Sequence, residues 1–179
     1  MATKERGWKI GLVVAIVATI AIVGLAADEA WWTSYVTTDS GLPADVQVMV
    51  LDALVSPEGE YAAYATYAAI LEAYGDATPF TNIMASEARH IEALTKILDA
   101  YGVPYPEENP YLGTIEVPAS LAAAAQAGVD AEIANVDLYE RQLESVANFP
   151  DIYQVFVNLQ SASLNQHLPA FERAATRYS

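Results

Sequence analysis

The sequence predicts an all-α protein: a four-helix bundle of two antiparallel hairpins joined by a long crossover, preceded by one N-terminal hydrophobic helix. Three observations predict it. Helix-breaking residues gather at a few points and leave long uninterrupted stretches between them. The links between stretches are short, long, then short again, as two hairpins and a crossover require. Residues 10–27 form a separate, uncharged apolar run.

That run, Ile10 to Ala27, follows Lys4, Arg6 and Lys9 and precedes Asp28 and Glu29. A membrane span needs about 20 apolar residues, and a signal peptide's apolar region about 7–15. Trp8 and Trp31–Trp32 flank the run as interfacial aromatics do. Gly24 and Ala26 leave a small-x-small cleavage pattern. Residues 1–27 are therefore a signal anchor or a cleaved signal peptide. Both place the remainder outside the cytoplasm, membrane-anchored through residues 10–27 or secreted. Residues 28–46, broken by Gly41-Leu42-Pro43, read as a tether, and 47–179 as the bundle.

The first helical stretch runs from about Asp45 to Tyr74, with a kink or restart at Ser56-Pro57-Glu58-Gly59. Strand-like alternation is confined to 46–55. The second stretch runs from Pro79 to Tyr101 and stops at Gly102. Residues 102–117, rich in proline, are long enough to travel the bundle's length; an up-down bundle with a loose middle loop is the alternative. The third runs from about Pro118 to Ala147, and the fourth from Pro150-Asp151 to Arg177. Pro169 lies inside the fourth and forces a kink or local adjustment.

Residues 28–179 carry 5 basic and 22 acidic residues, a net of −17. Such a domain repels nucleic acid and attracts cations. The absence of cysteine excludes disulfides, thiolate metal sites and cysteine nucleophiles. No glycine-rich phosphate loop or serine nucleophile arrangement is present.

The two histidines, His90 and His167, each fall well inside a helical stretch. Glu87 and His90 are spaced i, i+3, which puts a carboxylate and an imidazole on one helix face. Glu60 in the first stretch and Glu132 in the third sit among apolar neighbours, where a carboxylate needs a partner. Each of the four helices thus offers a ligand. The metal candidates are Glu60, Glu87, His90, Glu132 and His167, a set that suits iron, manganese or zinc. The competing reading leaves Glu60 and Glu132 exposed among 23 acidic residues. Tyr61, Tyr64 and Tyr67 surround Glu60, as packing or as hydrogen-bond donors to ligands.

The ordered segments Glu60-Tyr61, Ala65-Thr66-Tyr67, Pro79-Phe80-Thr81-Asn82-Ile83, Ser86-Glu87-Ala88-Arg89-His90-Ile91-Glu92-Ala93-Leu94, Tyr101-Gly102-Val103-Pro104, Gly128-Val129-Asp130-Ala131-Glu132-Ile133-Ala134-Asn135, Val155-Phe156-Val157-Asn158-Leu159-Gln160 and Ala162-Ser163 with His167-Leu168-Pro169-Ala170-Phe171 resemble the ferritin-like superfamily. The resemblance spans about residues 48–175 and is closest to a bacterial and archaeal domain-of-unknown-function branch. It implies a di-iron carboxylate bundle with Glu60, Glu87, His90, Glu132 and His167 at ligand positions. One departure stands out. Where the superfamily carries a second Glu-x-x-His on the last helix, this chain has Leu164 three residues before His167. Ser163 and Gln160 are the nearest polar residues on that face.

Two functions follow as expectations. One is a metal-binding protein, iron-loaded and reacting with oxygen or peroxide. The other is a non-catalytic, membrane-displayed binding or assembly module with a degenerate site. Its partners would be metal ions, the membrane, and copies of itself or of a membrane complex.

Overall fold

The computed structural model describes residues 30–179; the hydrophobic segment 10–27 lies outside them. No helix among the described residues is long and apolar enough to cross a membrane. The described chain is all-helical and contains no strand.

Helices α1 (Ala44–Val55) and α2 (Glu60–Tyr74) form the first bundle element, interrupted at residues 56–59. The apparent alternation over 46–55 is helical, with Val46, Val50, Leu51 and Leu54 on the core side. The break folds so tightly that a Cβ on Gly59 would lie 2.6 Å from the carbonyl oxygen of Ala53. Only glycine fits that approach.

Helix α3 (Phe80–Tyr101) returns antiparallel to α1–α2. Its buried residues Phe80, Ile83, Glu87, His90, Leu94 and Ile97 recur at steps of three and four, so Glu87 and His90 lie on the same inward face as the apolar core. Helix α4 (Leu121–Leu143) buries Ala124, Ala125, Gly128, Glu132, Asn135 and Tyr139 on its inner face. Ser120 caps it by accepting a hydrogen bond from the backbone N–H of Ala123.

The last element is α5 (Pro150–Ala162), a π-turn (Ser163–His167) and α6 (Leu168–Tyr178). Pro169 has no N–H to donate to the carbonyl of Asn165. The ladder instead widens by one residue, and the N–H of Leu168 donates to the carbonyl of Ser163. The adjustment foreseen at Pro169 is thus a π-turn.

Hydrogen bonds at the two ends give the topology. At one end Tyr101 donates to Asp151, and the N–H of Gly41 donates to the carbonyl of Tyr101. At the other, Tyr178 donates to the carbonyl of Thr78 and Tyr74 to that of Pro118. Helices α3 and α4 therefore run parallel, and residues 102–120 cross the length of the bundle between them. The crossover lies against the α1–α2 break. Buried Tyr111 donates to the carbonyl of Val55 at 2.6 Å, and Asn109 to that of Tyr61 at 2.7 Å. These donors satisfy carbonyls near the interruption.

The stretch read as a tether is partly packed. Trp31–Tyr35 forms a short 3-10 helix, and Trp32 is buried with its indole N–H on Asp52. Leu42 is buried too, and Gln47 ties this segment down through the backbone of Thr37 and Leu42.

Candidate metal centre

Glu60, Glu87, His90, Glu132 and His167 are the only buried acidic or basic side chains among the described residues, and they converge at mid-bundle. Glu60 opens α2, where the free N–H groups of a helix start favour a carboxylate. Glu87 and His90 come from α3, Glu132 from α4, and His167 from the end of the π-turn.

The five side chains form two triads that share Glu87. In the first, His90 Nδ1 lies 3.2 Å from Glu60 Oε2 and 2.7 Å from Glu87 Oε2. In the second, His167 Nδ1 lies 3.1 Å from Glu87 Oε1 and 3.3 Å from Glu132 Oε2. The two imidazoles stack with centroids 5.5 Å apart and 21° between planes. Serine 86 approaches the far nitrogen of His90 at 3.4 Å.

A second set of residues fixes the first. Tyr139 donates to Glu60 Oε1 at 2.6 Å, and Tyr67 donates to Glu132 Oε1 at 2.7 Å. The arrangement is reciprocal: the tyrosine of α2 holds the glutamate of α4, and the reverse. Each tyrosine stands seven residues after its own helix's glutamate. Both hydroxyls are pushed well above the ordinary phenol range, by burial first and then by the carboxylates they face. They remain protonated donors, and each leaves the other carboxylate oxygen, Oε2, directed at a histidine.

Burial opposes charge on every group here, and the pairings decide the outcome. Burial would raise the Glu60 carboxyl, but the hydrogen bond and charge of His90 outweigh it and bring it down to about 2. Glu87 is pushed up to about 7 by burial and by neighbouring Glu60. Burial would lower His90, yet Glu60 and Glu87 carry it up to about 10. His167 rises to about 9 against burial, through Glu132 and Glu87.

The donor set fits a cation pair. Two oxygens or nitrogens bound to one metal at about 2.1 Å stand about 3 Å apart, which matches the 2.7–3.3 Å between each histidine and the two carboxylates of its triad. Glu87 Oε1 and His167 Nδ1 are buried and paired only by charge, 3.1 Å apart, and neither has an aligned hydrogen bond. Buried atoms of that polarity ordinarily have one. A cation bound between them would satisfy both.

The π-turn corrects one expectation. Leu164 faces outward, 46% exposed, and does not occupy the slot beside His167. An uninterrupted α-helix would have placed the residue three before His167 on its face, but the widened turn brings the residue four before it inward. That residue is Ser163, which is 1% exposed and donates to Asn135 Oδ1 at 2.8 Å.

Of the tyrosines near Glu60, Tyr61 serves the crossover by donating to the carbonyl of Pro106, and Tyr67 serves the centre. Tyr139 had no place in the sequence reading, and Asn135 entered it only as the end of the segment 128–135, with no role at the site. The repeated spacing Glu60–Tyr67 and Glu132–Tyr139 was the signal that could have found Tyr139.

The bundle and its buried carboxylate–histidine cluster, capable of holding metal, define the class of molecule. No family model matches the chain, and no curated protein matches it. Among solved structures it is similar to the crystal structure of a hypothetical protein, MJ0754, from Methanococcus jannaschii. The match has a TM-score of 0.66 at 22% identity, over 76% of this chain and 83% of that one. The likeness is one of fold.

Proposed function

We propose that the chain is a ferritin-like metal-binding protein whose centre holds two divalent cations, with iron as the metal and oxygen or peroxide as co-reactant. The observation that carries this reading is the pair of buried triads hinged on Glu87, with Glu87 Oε1 and His167 Nδ1 of the second triad lacking an aligned hydrogen bond. Iron bound there supplies one-electron chemistry; manganese and zinc suit the same donors. Glu60, Glu87 and His90 would hold one cation, and Glu87, Glu132 and His167 the other. Tyr67 and Tyr139 orient the terminal carboxylates, and the surrounding apolar core keeps bulk water out.

Burial of Glu60 and Glu132 weighs against the alternative of a non-catalytic display module, which expected them on the surface. Under either reading the apolar run 10–27 would place the bundle outside the cytoplasm, membrane-anchored if the run is retained and secreted if it is cleaved.

Elemental analysis of protein purified without chelator tests the proposal, together with oxygen uptake on adding ferrous iron. The expected result is two metals per chain, reduced to one or none by Glu87→Ala. A chain that carries no metal and takes none up refutes it.

A further inference from the structure

Asn135 lies beside the first triad and reaches from it to the π-turn. It is 4% exposed and follows Glu132 by three residues, so it shares the inward face of α4. Its Nδ2 donates to Glu60 Oε1 at 3.3 Å and to the backbone carbonyl of Glu58 at 3.1 Å. Its Oδ1 accepts from Ser163. One neutral side chain therefore touches the start of α2, a carboxylate of the first triad, and the π-turn that ends in His167.

The chemistry of an amide suits this place. A carboxylate could accept from Ser163, but it could not donate to Glu60 and would add negative charge beside it. An apolar side chain would strand the Ser163 hydroxyl and the Glu58 carbonyl. Ser163 has the complementary need. Buried in the widened turn, it spends its only proton on Asn135, which fixes the turn's position relative to α4.

The geometry points to Asn135 as the positioning residue that couples the two halves of the centre, acting on Glu60 directly and on His167 through Ser163. This rests on the metal reading above. It assigns the coupling to a residue outside the five ligands.

Titration with cobalt(II), followed by its visible absorption, reads each half separately. The His167→Ala chain keeps Glu60, Glu87 and His90; the His90→Ala chain keeps Glu87, Glu132 and His167. Adding Asn135→Ala is expected to lower cobalt affinity about tenfold or more in both backgrounds. Adding Ser163→Ala should lower it only in the His90→Ala chain, and Ser163→Ala on top of Asn135→Ala should add nothing there. Where Asn135→Ala fails to fold, the one-sided effect of Ser163→Ala decides the matter. Thermal melts of the metal-free chains separate positioning from packing. If Asn135→Ala lowers Tm but leaves both affinities within twofold, the residue is structural and the inference is overturned. An equal loss in both backgrounds from Ser163→Ala overturns it as well. An unaltered chain that binds no cobalt removes the metal reading and this inference together; one that binds two and ignores Asn135→Ala removes this inference alone.

Discussion

Gly128 of α4 packs against Phe171 of α6 with no room for a side chain. A Cβ built there would lie 2.7–2.8 Å from three atoms of the Phe171 ring. Ordinary carbon contacts are about 3.5–4.0 Å, so Gly128→Ala asks for roughly 1 Å of movement. The ring has nowhere to go. It is fully buried, with Tyr67 and Phe80 each 5.2 Å away between ring centroids. Overpacking of this kind costs about 1–3 kcal/mol. Alanine recovers about 1 kcal/mol through helix propensity. The net expectation is a loss of up to about 2 kcal/mol, with Tm falling about 2–4 °C per kcal/mol in a domain of this size. Phe171→Ala removes all three of these atoms, so in that background Gly128→Ala should become stabilising by about 1 kcal/mol. Thermal and urea melts of the four metal-free chains give the comparison. The site should respond as well. Glu132 is one turn beyond Gly128 and His167 one turn before Phe171, so the wedge opens the Glu132–His167 half and spares the Glu60–His90 half. Stabilisation by Gly128→Ala in the unaltered background, or equal weakening of both cobalt positions, would refute the reasoning.

At pH 7 the metal-free centre holds a proton on each imidazole and a fractional one on Glu87, since His90, His167 and Glu87 are raised to about 10, about 9 and about 7. Ligands bind metal deprotonated. Filling both positions should therefore release about two to three protons, and apparent affinity should climb with pH from 6 to 9. Calorimetry in buffers of different ionisation enthalpy counts the protons, and release of fewer than one contradicts the assignment. Tyr111→Phe should destabilise the fold by about 1–3 kcal/mol, because it strands the buried carbonyl of Val55. Urea denaturation measures that loss, and an unchanged midpoint would show the carbonyl satisfied elsewhere. Tyr139→Phe should weaken cobalt binding about tenfold or more at the Glu60 half alone, and Tyr67→Phe at the Glu132 half alone. The two single-histidine backgrounds distinguish these outcomes.

Much of the bundle was legible because breakers and loop lengths are local signals. Gly75, Gly102 and Pro150 sit next to observed helix ends, and residues 102–120 are the crossover. Glu87 and His90 could be placed because their spacing coincides with the apolar period of α3. The π-turn was harder to read. Its trace is the run Leu159, Ser163, His167, Phe171, three steps of four that cover 12 residues where three α-turns take 10.8. Read at an α-helical period, that run puts Leu164 and Ser163 both on the His167 face and does not show that only Ser163 turns inward. Tyr139 and Asn135 were illegible for another reason. Their partners lie 79 and 75 residues away, and nothing local distinguishes a tyrosine that packs from one that also donates.

The extra residue in the π-turn also separates what the last helix needs as scaffold from what it needs as a site. Removing one residue from 164–166 would restore a continuous α-helical period, and the faces of α5 and α6 would still meet the core. It would also rotate Ser163 and His167 relative to each other and break the link from Asn135 to the imidazole. At this one point in the chain, a single-codon deletion can leave a folded bundle whose centre has come apart. Descendants of such a chain would look like relatives by shape while keeping at most the Glu60–Glu87–His90 half of its centre.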